Sequence, residues 1–267
     1  MKKKHALLSI VGAAVISSCV VQVDYGPEIS DKTEIQDIEN AISAKMSEVK
    51  NYEVVVKYDL SDKYVDQDDR VAAVDTVYRV DQNGNQYLSA SYEVNGAKSK
   101  FCGYDVTDRN YGEVFYLEVQ DSDGSRGGAL LPSQLKPTQS EADDPVFWDF
   151  VPFIALLNIE YYLEIRDPLE FEKRLSYVSN FNPCKYHSKG QGSLTIELSS
   201  IEVNSRETSS SSFQVTYDNY LLESAKSESK SKRENETREE KFELSFKALG
   251  SLSITLPSGW EKTLQRN

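Results

Sequence analysis

Two hydrophobic periods follow one another in the first half of the chain. Between residues 31 and 49 apolar residues recur three or four positions apart, which places them on one face of an amphipathic helix. Asp31 and Glu34 have the form of a capping box at the start of this helix. The apolar residues are Ile35, Ile38, Ile42, Met46 and Val49.

From residue 52 the period changes to two, which is typical of strands with one buried face. Asn83-Gly84 and Asn95-Gly96 separate alternating runs, and Asn-Gly is the strongest short hairpin signal. Strands are predicted at residues 52–60, 71–80, 87–94, 98–106 and 113–119. The first half should therefore be an antiparallel meander behind one helix.

The middle of the chain breaks this rhythm. Residues 121–144 show no clear period and predict a long connection, either a lid or a disordered segment, with partial docking. Residues 145–165 form the most apolar stretch after the N-terminus, and we expect a buried or cavity-facing helix there. Asp149, Glu160 and Glu164 argue against a membrane span. Asp167-Pro168 indicates the start of a second short helix, reaching about residue 177.

Strands are again predicted in the last third, at residues 193–203 and 212–222. Residues 226–241 contain no apolar side chain, which favours a solvated hairpin tip or loop. Alternation then resumes from Phe242 to Leu256, where a final strand should end. No internal repeat or linker is visible, so residues 29–267 are predicted to be one domain.

The N-terminus has the pattern of an export signal. Three lysines at positions 2–4 precede an apolar run from Ala6 to Val15, which is shorter than a transmembrane helix. The string Ile16-Ser17-Ser18-Cys19 resembles a bacterial lipobox, which implies cleavage after residue 18 and lipidation of Cys19. The alternative is an ordinary signal peptide followed by a chance cysteine. Residues 1–18 are thus predicted to be a lipoprotein signal peptide and 19–28 a lipid anchor with a short tether.

This N-terminus predicts an exported protein attached to a membrane on its extracytoplasmic face, because two acyl chains are enough for stable anchoring. The mean hydropathy of −0.52 excludes a polytopic membrane protein. The net charge of −13 argues against a nucleic-acid partner. No protein partner can be named from the sequence.

Catalytic and metal-binding patterns are missing from the sequence. Two histidines and three cysteines are too few for a zinc cluster, and the acidic residues between 59 and 69 lack the spacing of a calcium loop. His187 has no partner pattern and is expected on the surface. We therefore expect a protein that is not an enzyme, with no metal and no cofactor.

Two cysteines remain beyond the predicted anchor, Cys102 and Cys184. In an exported chain they could form a disulfide, which would stabilise the fold by roughly 4 kcal/mol in the chain-entropy model. The alternative is two independent buried thiols, and the sequence does not decide between them.

The order of elements resembles the LolA-like superfamily of lipoprotein carriers and lipid-binding lipoproteins. The strings that carry this resemblance are VKNYEVVVKYDL at residues 49–60 and SLSITLPSGW at residues 251–260. The resemblance implies an α+β fold in which a curved antiparallel sheet forms an open half-barrel. The N-terminal amphipathic helix and the mid-chain helices would cover its concave face.

The resemblance also implies a function, namely binding of a hydrophobic or lipidic ligand beneath the helices. Four aromatic residues of the apolar stretch are the candidate ligand contacts: Phe147, Trp148, Phe150 and Phe153. They could instead be ordinary core residues. In that case the alternative function is a surface or signalling module with a fully packed core that binds another protein.

Overall fold

The computed structural model describes residues 24–64, 70–121, 124–131, 166–169, 184–203 and 207–264. The predicted signal peptide, Cys19, and the apolar stretch with Phe147, Trp148, Phe150 and Phe153 lie outside these residues. Most of the connection at 121–144 also lies outside them, as does the helix predicted from Pro168 to about residue 177, apart from Pro168 and Leu169.

The described residues form mostly β structure with one α-helix, α1, at Lys32–Ser47. A 3-10 helix follows at Trp260–Thr263. The strands are Glu28–Ile29 (β1), Tyr52–Tyr64 (β2), Arg70–Val80 (β3), Gln86–Val94 (β4), Ala97–Asp108 (β5), Gly112–Asp121 (β6), Gly124–Leu130 (β7), Lys185–His187 (β8), Leu194–Val203 (β9), Glu207–Asp218 (β10), Leu221–Arg233 (β11) and Glu236–Ala248 (β12).

All of these strands belong to one curved, antiparallel sheet. Their order is β1-β8-β9-β10-β11-β12-β2-β3-β4-β5-β6-β7. β1 and β7 are the two edges, so the sheet stays open. Two meanders, β2 to β7 and β8 to β12, meet in the middle, where β12 pairs with β2 from Ala248↔Tyr52 to Glu236↔Tyr64.

The predicted N-terminal helix is confirmed with its cap. Asp31 Oδ1 accepts hydrogen bonds from the amides of Thr33 at 2.8 Å and Glu34 at 3.4 Å. The apolar stripe ends in Ile42 and Met46, which are 0% and 3% exposed and pack against the sheet. We call the face that α1 covers the inner face and the opposite one the outer face.

The first meander follows the prediction closely, with each strand within a few residues of its predicted bounds. Asn95 and Gly96 form the tight turn between β4 and β5 with φ of 48° and 84°, the left-handed values that Asn and Gly tolerate best. The charged residues at 226–241 lie in the β11–β12 hairpin, as predicted, although most of them are in its strands.

Three sequence predictions are wrong within the described residues. Gly124–Leu130 forms the strand β7, where an irregular connection was expected. Asn219 and Tyr220, with φ of 50° and 63°, turn the chain near the end of the strand predicted at 212–222. The C-terminal run at 249–257 is not a strand. Fewer helices are seen than predicted, and the expected α+β fold is mostly β in the part described.

The C-terminal run acts instead as a strap across the sheet. The Ile254 amide donates to Asp81 Oδ2 at 3.0 Å, at the turn between β3 and β4. Trp260 then packs on the outer face of β5–β7 in a second apolar cluster with Val114, Tyr116 and Ala129. The alternating Leu252, Ile254 and Leu256 therefore bury apolar surface without a strand ladder.

Candidate inner-face binding site

The inner face changes character along the strands. Near α1 it is a continuous apolar core that includes Val54, Tyr78, Leu88, Ile196 and Leu244, all 2% exposed or less. Because neighbouring strands pair in register, these side chains form cross-strand rows. This end of the inner face is covered by α1.

The next row of the inner face, farther from α1, consists mainly of aromatic and half-buried side chains. It runs Leu198, Phe213, Ser227, Phe242, Tyr58, Val74, Tyr92 across β9 to β4. Phe213 and Phe242 border the core cluster, and Tyr92 lies 6.3 Å from the ring of Phe101 and is 36% exposed. We call this row the aromatic row. It gives the inner face an accessible apolar surface next to its core.

Serines follow the aromatic row on β9 to β11. Ser200, Ser211 and Ser229 are aligned across the three strands, and Ser211 Oγ donates to Ser229 Oγ at 3.3 Å. On β12 and β2 the same row continues with Glu240 and Leu60. Small hydroxyl groups leave space above the sheet and offer weak polar contacts.

Beyond these rows lies a charged group at the end of the inner face that is farthest from α1. We call it the acidic end, and it consists of Tyr58, Asp62, Arg238 and Glu240. Arg238 Nε donates to Glu240 Oε1 at 2.6 Å and lies 3.7 Å from Asp62 Oδ1. Burial raises the pKa of Tyr58, and the charge of Glu240 raises it further. The hydrogen bond to Glu240 raises the pKa of Arg238. The row of Asp62 and Arg238 thus lies two rows from the aromatic row, with the serine row between them.

Another acidic side chain, Asp105, lies on the inner face at the end of the sheet that α1 covers. It is paired with Phe115 of β6. Burial raises its pKa to about 6, with a smaller contribution from the charge of Glu113. The carboxylate is therefore costly to ionise, as expected for an acid next to an apolar core.

The short piece at 166–169 packs against α1 and the core. The Arg166 guanidinium lies 4.3 Å from the ring centre of Tyr52, and Ser43 Oγ donates to Asp167 Oδ1 at 2.7 Å. Asp167 Oδ1 also accepts from the Leu169 amide at 3.0 Å. This is the N-cap bond that the Asp167-Pro168 pair predicted.

The outer face is polar and charged along most of its length. Opposite charges alternate across the strands, as in Lys226 with Glu243 and Lys230 with Glu239, at 3.9 and 3.8 Å. A groove of about 780 Å³ over β8–β11 is lined mostly by polar side chains, among them Lys185 and Glu228, but Leu198, Phe213 and Ser227 of the aromatic row also line it. The groove therefore borders one end of the aromatic row.

Cys102 and Cys184 are not joined by a disulfide in this structure. Cys102 is in β5 and Cys184 directly precedes β8, with seven strands between β5 and β8 in the sheet. A bond between the two sulfur atoms needs Cα atoms about 4.4–6.8 Å apart, a range that pairing across a sheet meets only for near neighbours. Burial raises the pKa of the Cys102 thiol.

His187 is placed differently from the prediction. It belongs to β8, its side chain is only 18% exposed, and its Nε2 lies 3.4 Å from Glu197 Oε2. In the described part of the chain, no three His, Cys, Asp or Glu side chains are grouped as a metal site would need. Within those same residues, no helix has the length and apolarity required to cross a membrane.

The four predicted ligand contacts lie outside the described residues, and the site built here consists of residues that the sequence reasoning did not select. Phe213, Tyr58 and Phe242 were visible only as members of alternating strands. Their alignment into one row depends on the pairing of β12 with β2, which no local pattern reveals.

Comparisons with known proteins give two weak structural similarities. A DUF1329 family protein from Desulfovibrio piger is 9% identical, with 82% of this chain and 95% of that chain covered and a TM-score of 0.25. A Vibrio parahaemolyticus structure described as an outer membrane lipoprotein-sorting protein domain is 12% identical, with coverage of 82% and 93% and a TM-score of 0.15. No family model and no curated protein matches the chain. With TM-scores this low, the site rests on the residues of this chain alone.

Proposed function

We propose that this protein is an exported, membrane-anchored lipoprotein that binds a hydrophobic or lipidic ligand on the inner face of its sheet, without catalysing a reaction. The observation that carries the proposal is the aromatic row, an accessible apolar surface that continues a closed core. Apolar area of this kind gains about 25 cal/mol per Å² when a ligand covers it.

The form of the surface supports a chain-like ligand. The aromatic row crosses seven neighbouring strands, from β9 to β4, and strands are spaced about 4.8 Å apart. An extended acyl chain can follow such a row and contact Phe213, Phe242 and Tyr58 in turn. The serines beside the row would leave room for the chain while their hydroxyl groups stay hydrated.

A substitution in the aromatic row tests the proposal. Phe242→Ala should weaken binding of a neutral fluorescent acyl-chain probe about tenfold, or ~1.4 kcal/mol, because one aromatic contact is lost. Fluorescence titration measures the change. Ile201→Ala is the matched control, since Ile201 is an apolar residue of β9 that is 75% exposed on the outer face.

Two results would overturn the proposal. If the wild-type chain binds no neutral acyl probe, the inner face is not a lipid site, and the alternative of a protein-interaction module takes its place. If Phe242→Ala and Ile201→Ala bind the probe equally well, the ligand lies elsewhere. Circular dichroism and denaturation of each variant would confirm that the fold is retained.

Anchoring is tested separately. Cys19→Ala removes the thiol that the lipobox resemblance assigns to lipidation, and two acyl chains account for stable attachment. We therefore expect the variant to leave the membrane fraction or to accumulate as an uncleaved precursor. Fractionation and gel mobility measure both outcomes, and Ser17→Ala is the control. A Cys19→Ala protein that behaves like the wild type would contradict the lipid anchor.

A further inference from the structure

The acidic end of the inner face has a hydrogen-bonding capacity that the described residues leave unused. Asp62 is 3% exposed, and among the residues that the structure describes its Oδ1 has no hydrogen-bond partner. A buried charged acceptor without a donor is unfavourable, because its lost hydration is not replaced by a hydrogen bond. The side chain shares its face of β2 with Tyr58 and Leu60 by strand alternation, so it belongs to the surface that carries the aromatic row.

Arg238 does not satisfy this carboxylate. Its Nε donates to Glu240 Oε1 at 2.6 Å, and its Nη2 also contacts the same oxygen. The distance of 3.7 Å from Nε to Asp62 Oδ1 is too long for a hydrogen bond. Arg238 is thus engaged by Glu240, and Asp62 gains only a longer-range attraction.

The surrounding rows keep this end of the inner face negative. By register on β11, β12 and β2, acidic residues outnumber basic ones there by three to two. The acids are Asp62, Glu236 and Glu240, and the bases are Arg233 and Arg238. An anionic head group would meet net repulsion, whereas a cationic group would meet net attraction.

We infer that the ligand of the inner face is an amphiphile whose polar head is a primary ammonium group, with its apolar chain on the aromatic row and its N–H groups donating to Asp62. The inference rests on the proposed function, because it concerns the same surface. An ammonium group supplies three donors and a positive charge, and it thereby matches both the unused oxygen and the negative rows.

Single-chain amphiphiles that differ only in the head group test the inference. Dodecylamine, dodecanol and dodecanoate are titrated below their micelle concentrations in competition with the neutral acyl probe, at neutral pH and physiological salt. The purified chain should bind dodecylamine at least about tenfold more tightly than dodecanoate, equivalent to ~1.4 kcal/mol. Dodecanol should lie between them.

Asp62→Asn keeps the shape of the side chain and removes its charge, so the preference for the amine should fall to about threefold or less, ~0.7 kcal/mol. Two control variants, Asp59→Asn and Asp105→Asn, make the same change at other positions. Asp59 is exposed on the outer face of the same strand, and Asp105 lies on the inner face at the end that α1 covers. Both should keep the preference of the wild type.

The outcomes separate the two proposals. Equal binding of all three amphiphiles, or a preference for dodecanoate, overturns the ammonium inference and leaves the lipid-binding function standing. Loss of the preference in Asp59→Asn as well would assign it to overall charge and overturn the role of Asp62. Absence of binding of every amphiphile removes the proposed function itself. The wild-type preference decides the inference even if Asp62→Asn fails to fold.

Discussion

Replacing Asp81 with alanine is expected to lower the free energy of unfolding by about 3 kcal/mol, because several buried donors lose their acceptor at once. Asp81 is 1% exposed. Its Oδ1 accepts from the amides of Asn83 at 2.8 Å and Asn85 at 3.1 Å. Its Oδ2 accepts from Asn85 Nδ2 and from the Ile254 amide, each at 3.0 Å. One carboxylate thus holds both the β3–β4 turn and the C-terminal strap.

The same bonds make this stabilisation depend on pH. Burial by itself raises the pKa of Asp81, but the hydrogen bonds from Ile254, Asn85 and Asn83 outweigh it, and the pKa lies below its ordinary value. The folded state therefore favours the ionised form. The contribution is complete above the unfolded pKa of about 3.9 and is lost as pH falls through the lower, folded pKa.

Urea denaturation at pH 7 and at pH 3 measures both effects. Asp81→Ala should narrow the stability difference between the two pH values relative to the wild type. Asp108→Ala is the matched control, since Asp108 Oδ1 also accepts two backbone amides, from Asn110 at 2.7 Å and Tyr111 at 3.0 Å, but in an exposed turn. A similar loss in both variants would contradict the larger effect expected from the buried bonds of Asp81.

The second large effect is expected at Trp260, where substitution by alanine should cost about 3–5 kcal/mol, the usual range for removing a buried aromatic side chain. Trp260 is 6% exposed and completes the outer-face cluster with Val114, Tyr116 and Ala129. The ring of Tyr111 packs edge-on against it at 5.2 Å. Without the indole ring, this cluster loses its largest member.

Thermal or chemical denaturation measures the loss, and Tyr111→Ala serves as the comparison. Tyr111 takes part in the same ring contact but is 46% exposed, so its removal should cost only about 1 kcal/mol. If Trp260→Ala is no more destabilising than Tyr111→Ala, the outer-face cluster is not a core.

Local signals in the sequence predicted the elements that local chemistry determines. The stripe ending in Ile42 and Met46 predicted α1, and Asn95-Gly96 predicted a hairpin, because each depends on residues a few positions apart. The strand β7 was missed because its sequence, Gly124 to Leu130, is rich in glycine and lacks alternation. It exists through pairing with β6, as Gly127 with Glu118 and Gly128 with Leu117 show.

The site could not be predicted from such signals. Asp62 lay among the acidic residues at 59–69, beyond the strand predicted at 52–60, and the extension of β2 to Tyr64 places it on the inner face opposite Arg238. The serines of β9 to β11 likewise carry no pattern until the three strands are aligned. The C-terminal alternation predicted a strand, yet the segment makes its key bond to Asp81, 173 positions away. Alternation indicates which side chains are buried, but the segments that a stretch pairs with determine whether it forms a strand.

The pairing of β12 with β2 at the centre of the sheet has a consequence for the order of folding. Tyr52 and Ala248 are partners although nearly 200 residues separate them in the chain. Closing such a long loop costs conformational entropy, and proteins with many such non-local strand pairs fold slowly. A growing chain can assemble β2 to β7 early, but β2 then presents a bare edge until the final strand is made. The last long strand therefore completes the middle of the sheet, and a nascent chain that stops before it leaves the edges of β2 and β11 unpaired and open to aggregation.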